Sequence, residues 1–166
     1  MNDRASKVQA EWQQEKPEID ARVMALVGRL LEAAHVMERD WLSPLAVEYG
    51  LQPGEFDVIA TLRRSGRPYA LTPTSLYESL MLSSGAMTNR LDRLEKRGLI
   101  LRNRSDHDRR SVVVQLTAEG IDLIDKLLPV HVANETRALT TLSVKEQVQL
   151  DRLLQKLLGG MHQMAP

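Results

Sequence analysis

Ser83-Ser84-Gly85-Ala86-Met87-Thr88-Asn89-Arg90-Leu91-Asp92-Arg93-Leu94-Glu95-Lys96-Arg97-Gly98 is followed by Leu99-Ile100-Leu101-Arg102-Asn103-Arg104, a polar loop through Arg110, and Ser111-Val112-Val113-Val114-Gln115-Leu116. A serine pair can cap a helix at its amino end, and a glycine past the last turn can end one. The first part therefore predicts a helix from about Ser83 to Arg97. At roughly 100° per residue, Met87, Leu91 and Leu94 share a face that must pack on the domain. Gly85, Asn89, Asp92, Arg93 and Lys96 share the opposite face. The β-branched run after a charged turn predicts a hairpin. Upstream, Thr72-Pro73 can open a short helix to about Leu80. Helix, short turn, helix and hairpin are the proportions of a winged helix-turn-helix.

Further upstream, Gln52-Pro53-Gly54-Glu55 looks like a helix start, with Glu three residues after Gln. The helix after it, with Phe56, Val58, Ile59, Ala60 and Leu62, is apolar nearly all round and so belongs at the centre. Before it, Pro17 precedes a long amphipathic helix with Ile19, Val23, Leu26, Val27, Leu30, Ala34 and Met37 on its stripe. That helix is expected to end before Ser43-Pro44, with a short turn or helix leading on to Gly50. Residues 1–16 are mostly polar and read as a short extra helix or a loose arm. Downstream, Thr117 can cap a helix carrying Ile121, Ile124, Leu127, Leu128 and Val132, with a kink expected at Pro129. Ser143-Val144-Lys145-Glu146 is a capping box. It opens a last helix, expected to stop at Gly159-Gly160.

The expected fold is mainly α with a small β-hairpin wing, the winged helix-turn-helix lying between N- and C-terminal dimerisation helices. Its expected parts are an N-terminal arm or extra helix at 1–17, a dimerisation helix region at 18–50, a DNA-binding winged domain at 51–117 and C-terminal dimerisation helices at 118–162.

The chain has 166 residues, 22 Lys+Arg, 22 Asp+Glu and no cysteine. That length suits one domain of about 150 residues. Disulfides, thiolate nucleophiles and Cys-ligated zinc are excluded. No apolar run reaches the roughly 18 residues of a membrane span, and no signal peptide opens the chain, so no membrane partner and a cytoplasmic location are expected. No Gly-rich phosphate loop, His-Glu-x-x-His or Gly-x-Ser-x-Gly is present, so neither an enzyme nor a cofactor is expected. His131 and Glu135 share a helix face, but two ligands fall short of the three or four a stable metal site uses, and no metal is expected.

The zero net charge conceals a split. From Arg63 to Arg110 there are eleven basic and five acidic residues, a net of +6, which leaves −6 for the rest. A basic patch on a helix-turn-helix suits the phosphates of double-stranded DNA. Asn and Arg match base edges, and small residues let a helix N-terminus approach the groove. The candidate DNA-binding residues are Ser84, Asn89, Arg93 and Lys96 on the helix and Arg109 and Arg110 at the wing tip, where a guanidinium can enter the minor groove. The terminal helices exceed what one small winged domain needs, which points to a homodimer spanning two half-sites. The alternative is a winged-helix protein-interaction module without specific DNA binding. A last reading concerns Asp57, which shares a polar strip with Thr61 and Arg64, and Arg90, at the edge of the buried stripe. An inward Arg90 would pair with Asp57 and tie the reading helix to the scaffold, and an anion competing for Arg90 would move that helix. Asp57 facing solvent is the other possibility.

The run Leu82 to Ile100, with Ser105 to Val112 and Leu116-Thr117-Ala118-Glu119-Gly120, closely resembles the MarR family of winged-helix regulators over about Ile19 to Met161. The resemblance implies a transcription regulator, usually a repressor, that binds a pseudo-palindromic operator as a homodimer and is released by a small, often aromatic, effector. It implies that Arg110 reaches the minor groove, with Asp108 as its partner. The urate-responsive branch of the family is similar in one further respect. Asp57, Arg90 and Arg102 fall where that branch lines its ligand site, and Trp12 stands for its N-terminal Trp at an offset that departs from the branch pattern. The implied effector is urate or another planar aromatic anion.

Overall fold

The computed structural model describes residues 3–80, 87–104 and 112–164, Arg104 by its backbone alone. The N-terminal segment is a helix, α1 (Arg4–Glu15). Asp3 caps it, accepting from the Ser6 N–H at 2.7 Å, and also takes two donors of Arg29 at 2.7 and 3.2 Å. Arg29 belongs to α2 (Ala21–Val36), which Asp20 caps. Ala5, Ala21 and Ala25 are buried between the two helices. Small side chains there let the backbones approach closely, so α1 packs on α2 instead of trailing as an arm.

α2 ends at Val36, ahead of Ser43-Pro44 as expected, and a short helix leads on toward Gly50, but no break separates the two. The chain stays helical through a π segment (Met37–Leu42) into α3 (Ser43–Glu48). Within that segment the Ser43 N–H reaches back five residues to the Glu38 carbonyl. Pro44 then stands in the first turn of α3, where its missing N–H is not needed. One wide turn accommodates a proline that would break a regular α-helix.

The winged domain comprises α4 (Glu55–Arg64), β1 (Ala70–Leu71), α5 (Pro73–Ser79), α6 (Met87–Lys96), β2 (Ile100–Arg104) and β3 (Val112–Leu116). Thr72 caps α5, as its sequence predicts, accepting from the Ser75 N–H at 3.1 Å. α6 ends as a Schellman turn: Gly98 is left-handed, its N–H donates to the Glu95 carbonyl at 2.9 Å, and the Leu99 N–H to Leu94 at 3.0 Å. The sheet order is β1-β3-β2, all antiparallel. Strand β1 was not expected. Its two residues pair Ala70 with Gln115 and Leu71 with Val114, a length too short to show alternation in sequence. The core joins Val58, Ile59 and Leu62 of α4 to Leu76, Leu91, Leu94, Ile100, Val114, Ile124 and Leu127. At about 2 kcal/mol for each fully buried aliphatic side chain, this cluster fixes α4 as the central helix.

α7 (Ala118–Ala138) is capped by Thr117 and continues through Pro129 as a single helix. α8 (Val144–Met164) opens with the expected capping box, the Ser143 N–H donating to Glu146 Oε2 at 2.8 Å. It does not stop at Gly159-Gly160 but runs on to Met164. Neither glycine takes the left-handed conformation that ends α6, and a helical glycine costs only about 1 kcal/mol. No α8 residue is buried, and Val148, Leu150, Leu153, Leu157, Leu158 and Met161 are exposed. Among the described residues, no helix is long and apolar enough to cross a membrane.

Candidate nucleic-acid interface and adjoining cavity

α6 and the residue after it present three arginines, at positions 90, 93 and 97, to the loop and first turn of α4. Steps of three and four place them along one side of a helix. Arg93 Nε donates to Glu55 Oε1 at 2.6 Å, and Arg97 Nη1 lies 3.8 Å from Glu55 Oε2. Arg97 also donates to the Gly50 carbonyl at 2.5 Å. Glu55 is 1% exposed, and its second oxygen accepts the Gln52 N–H at 2.8 Å. The Arg90 guanidinium lies over Gly54, so close that a Cβ there would meet it at 2.2 Å. Gly54 itself has φ 76°, where a side chain is strained. The loop is a socket for the arginine side of α6.

The other flank of α6 is held from the wing. Arg102, on β2, donates to Asp92 at 2.5 Å and lies 3.5 Å from Glu95, with 30% of its side chain exposed. Asn89 and Lys96 are exposed. Arg93 keeps 44% of its side chain exposed while holding Glu55. Ser84, Asp108, Arg109 and Arg110 lie outside the described residues.

Beneath the socket is a cavity of about 420 Å³ between α3, α4 and α7, lined by Pro53, Gly54, Phe56, Asp57, Thr61, Arg64 and His131 among others. His131 stacks on Phe56 at 4.1 Å and reaches Glu135 at 3.2 Å. Burial raises the Asp57 carboxyl above its ordinary value, and the nearby Glu38 charge adds to this. The charges of Arg90 and His131 oppose the rise without overcoming it. Asp57 and Arg90 therefore sense each other by charge, without the direct pair the sequence suggested. Glu55, with Arg93 and Arg97, makes the tie between α4 and α6 instead. Arg64 is spent on the Ser79 carbonyl of α5. Of the four effector residues read from the resemblance, Asp57 lines this cavity, Arg90 sits across Gly54 from it, Arg102 is engaged by α6 and Trp12 is 39% exposed on α1. A second cavity of about 490 Å³ lies between the π segment and α7, beside Trp41 and Arg137.

In the sequence Glu55 reads as a capping residue only. The missed signal was the spacing of the three arginines, which needs an acid on the facing element.

A helix-turn-helix with an antiparallel wing and a cation-bearing second helix defines a winged-helix protein. The chain matches the MarR family over residues 51–112. It is 39% identical over 149 residues to the HTH-type transcriptional regulator PecS of Dickeya dadantii, covering 90% of this chain and 89% of that protein. Its fold matches a mutant MarR of E. coli complexed with operator DNA (TM-score 0.70, 24% identity, 89% of this chain and 97% of that one). It also matches Bordetella bronchiseptica BpsR, whose DNA binding is regulated by 6-hydroxynicotinic acid (TM-score 0.68, 24% identity, 80% of this chain and 98% of that one). The chain belongs to the MarR family of transcription regulators, whose members are not enzymes.

Proposed function

We propose that the chain acts in the cytoplasm as a homodimeric repressor that binds a pseudo-palindromic operator and leaves it when a small aromatic anion, urate first among candidates, enters the cavity beside Asp57. The observation that carries this reading is the double use of one short segment. Gly54 and Glu55 receive the arginines of α6, and Pro53, Gly54, Phe56 and Asp57 line the cavity. A ligand that shifts this segment shifts the helix above it, a change of population driven by differential affinity.

In this reading 51–117 is the DNA-binding unit, with 18–50 and 118–162 forming the dimer and the helix within 1–17 bracing it. Asn89, Lys96 and Ser84 meet the major groove, and Arg109 and Arg110 the minor groove. Arg93, with its Nε on Glu55, supports the helix and does not contact phosphate. An anion beside Asp57 draws on Arg90 first. Arg102 joins only by leaving Asp92 and Glu95, which frees the outer flank of α6. Trp12 does not line this cavity. The exposed apolar stripe of α8 supports the dimer, because an apolar helix face this long is otherwise left in water.

The test is a thermal-shift screen of urate, xanthine and salicylate, followed by release of a bound operator duplex. A binder stabilises the fold by mass action. Asp57→Asn and Arg90→Gln are expected to keep DNA binding and lose ligand-driven release. Release unchanged in both variants removes this cavity as the effector site.

A further inference from the structure

Glu55 is the only fully buried charged side chain among the described residues. An ion removed from water persists only where its partners offset the desolvation, and an apolar residue of the same size often serves a core as well. Its partners are Arg93 of α6 and Arg97, the residue just past its end, one turn apart. A capping role accounts for one oxygen, through the Gln52 N–H, and leaves the 2.6 Å contact to Arg93 unexplained. That contact fixes the rotation of α6 about its axis. It also takes a long cation out of the set available to phosphates, which bind without regard to sequence. Asn89 stands one turn before Arg93 on the same face, so its approach to a base edge follows from where Arg93 is held.

We propose that Glu55 is a positioning residue for operator readout: by holding Arg93 it sets the angle at which α6 enters the groove and keeps Arg93 from adding sequence-blind affinity. This rests on the DNA-reading function proposed above.

The full chain is first used to select duplexes from a randomised pool. Failure to enrich any sequence overturns the DNA reading itself. With a selected duplex in hand, anisotropy titrations compare it with a scrambled duplex across a salt series. In Glu55→Gln the freed Arg93 reaches phosphate, so the salt slope on the scrambled duplex steepens by about 0.9. Discrimination between the duplexes falls about tenfold, the equivalent of one base pair of recognition. In Glu55→Gln/Arg93→Gln the slope returns to that of the unsubstituted chain. Arg93→Gln alone leaves the slope unchanged and lowers discrimination. A mere loss of packing would lower affinity without steepening the slope. An unaltered slope and ratio in Glu55→Gln overturn the proposal, as does a slope flattened by about 0.9 in Arg93→Gln alone. If melting shows that Glu55→Gln does not fold, the Arg93→Gln slope decides by itself.

Discussion

At the scale of single residues, the socket depends on a glycine, and the cavity beneath it holds a half-buried acid. Gly54 is left-handed and has the Arg90 guanidinium where a Cβ would be. In Gly54→Ala the backbone strain alone costs about 1–2 kcal/mol. Arg90 can swing aside, so a denaturant melt is expected to show a loss near that figure and not a collapse. Asp57 makes a prediction with a definite sign. Its folded-state value is raised above the ordinary 3.8, chiefly by burial, so the folded chain holds the proton more tightly than the unfolded one. The stability this lends is fully present below 3.8 and is lost as pH rises through the raised value. Asp57→Asn removes that dependence. Urea melts from below 3.8 to neutrality should show the variant gaining on the unsubstituted chain as pH climbs, and a gap that stays constant would contradict the placement of Asp57. These two residues differ in legibility. Asp57 stands out in sequence as a polar residue in an apolar helix, whereas Gly54 reads as an ordinary turn glycine until the arginine above it is seen.

At the scale of elements, the joint between the wing and α7 is a close backbone approach. A Cβ on Gly120 would sit 2.1 Å from the Leu99 carbonyl oxygen, a backbone atom that cannot swing away. The Thr117 N–H and hydroxyl bond the Leu99 and Gly98 carbonyls at 3.1 and 2.6 Å and lock the same corner. Gly120→Ala is therefore expected to cost about 2–3 kcal/mol, as overpacking does, and to lower the melting temperature clearly. A neutral result would mean that α7 can lift off the hairpin. Helices and strands whose ends carry a chemical signal were legible: Thr72, Thr117 and Ser143 cap where their sequences say they should. The misread junction and end lack such a signal. A π turn before Pro44 and helical glycines at 159 and 160 are resolved by what surrounds them, because proline and glycine limit a helix only in particular conformations.

At the scale of the whole molecule, a protomer alone leaves Val148, Leu153, Leu157 and Met161 of α8 in water, with Val23, Leu26, Val27 and Leu31 of α2 also exposed. The dimer reading predicts that these faces meet a second copy. Leu153→Glu, at the middle of the α8 stripe, should weaken the dimer by at least about 30-fold, the scale of a central interface residue. Light scattering over a dilution series would show it, and operator binding should weaken in step. A chain that is monomeric before substitution would end the reading.

The sequence by itself determined the succession of helices, the caps at Thr72, Thr117 and Ser143, the central apolar helix, the two hairpin strands and the cation-rich α6, because these follow from periodicity and end chemistry within a few residues. It also carried the family resemblance. Only the tertiary structure decided which charges are spent and which are left. Glu55 takes Arg93 and Arg97, Asp92 and Glu95 take Arg102, and Asp57 senses Arg90 only across space. Side chains this long can reach several partners, and the partner each one finds is set by where distant segments pack, which no local pattern encodes.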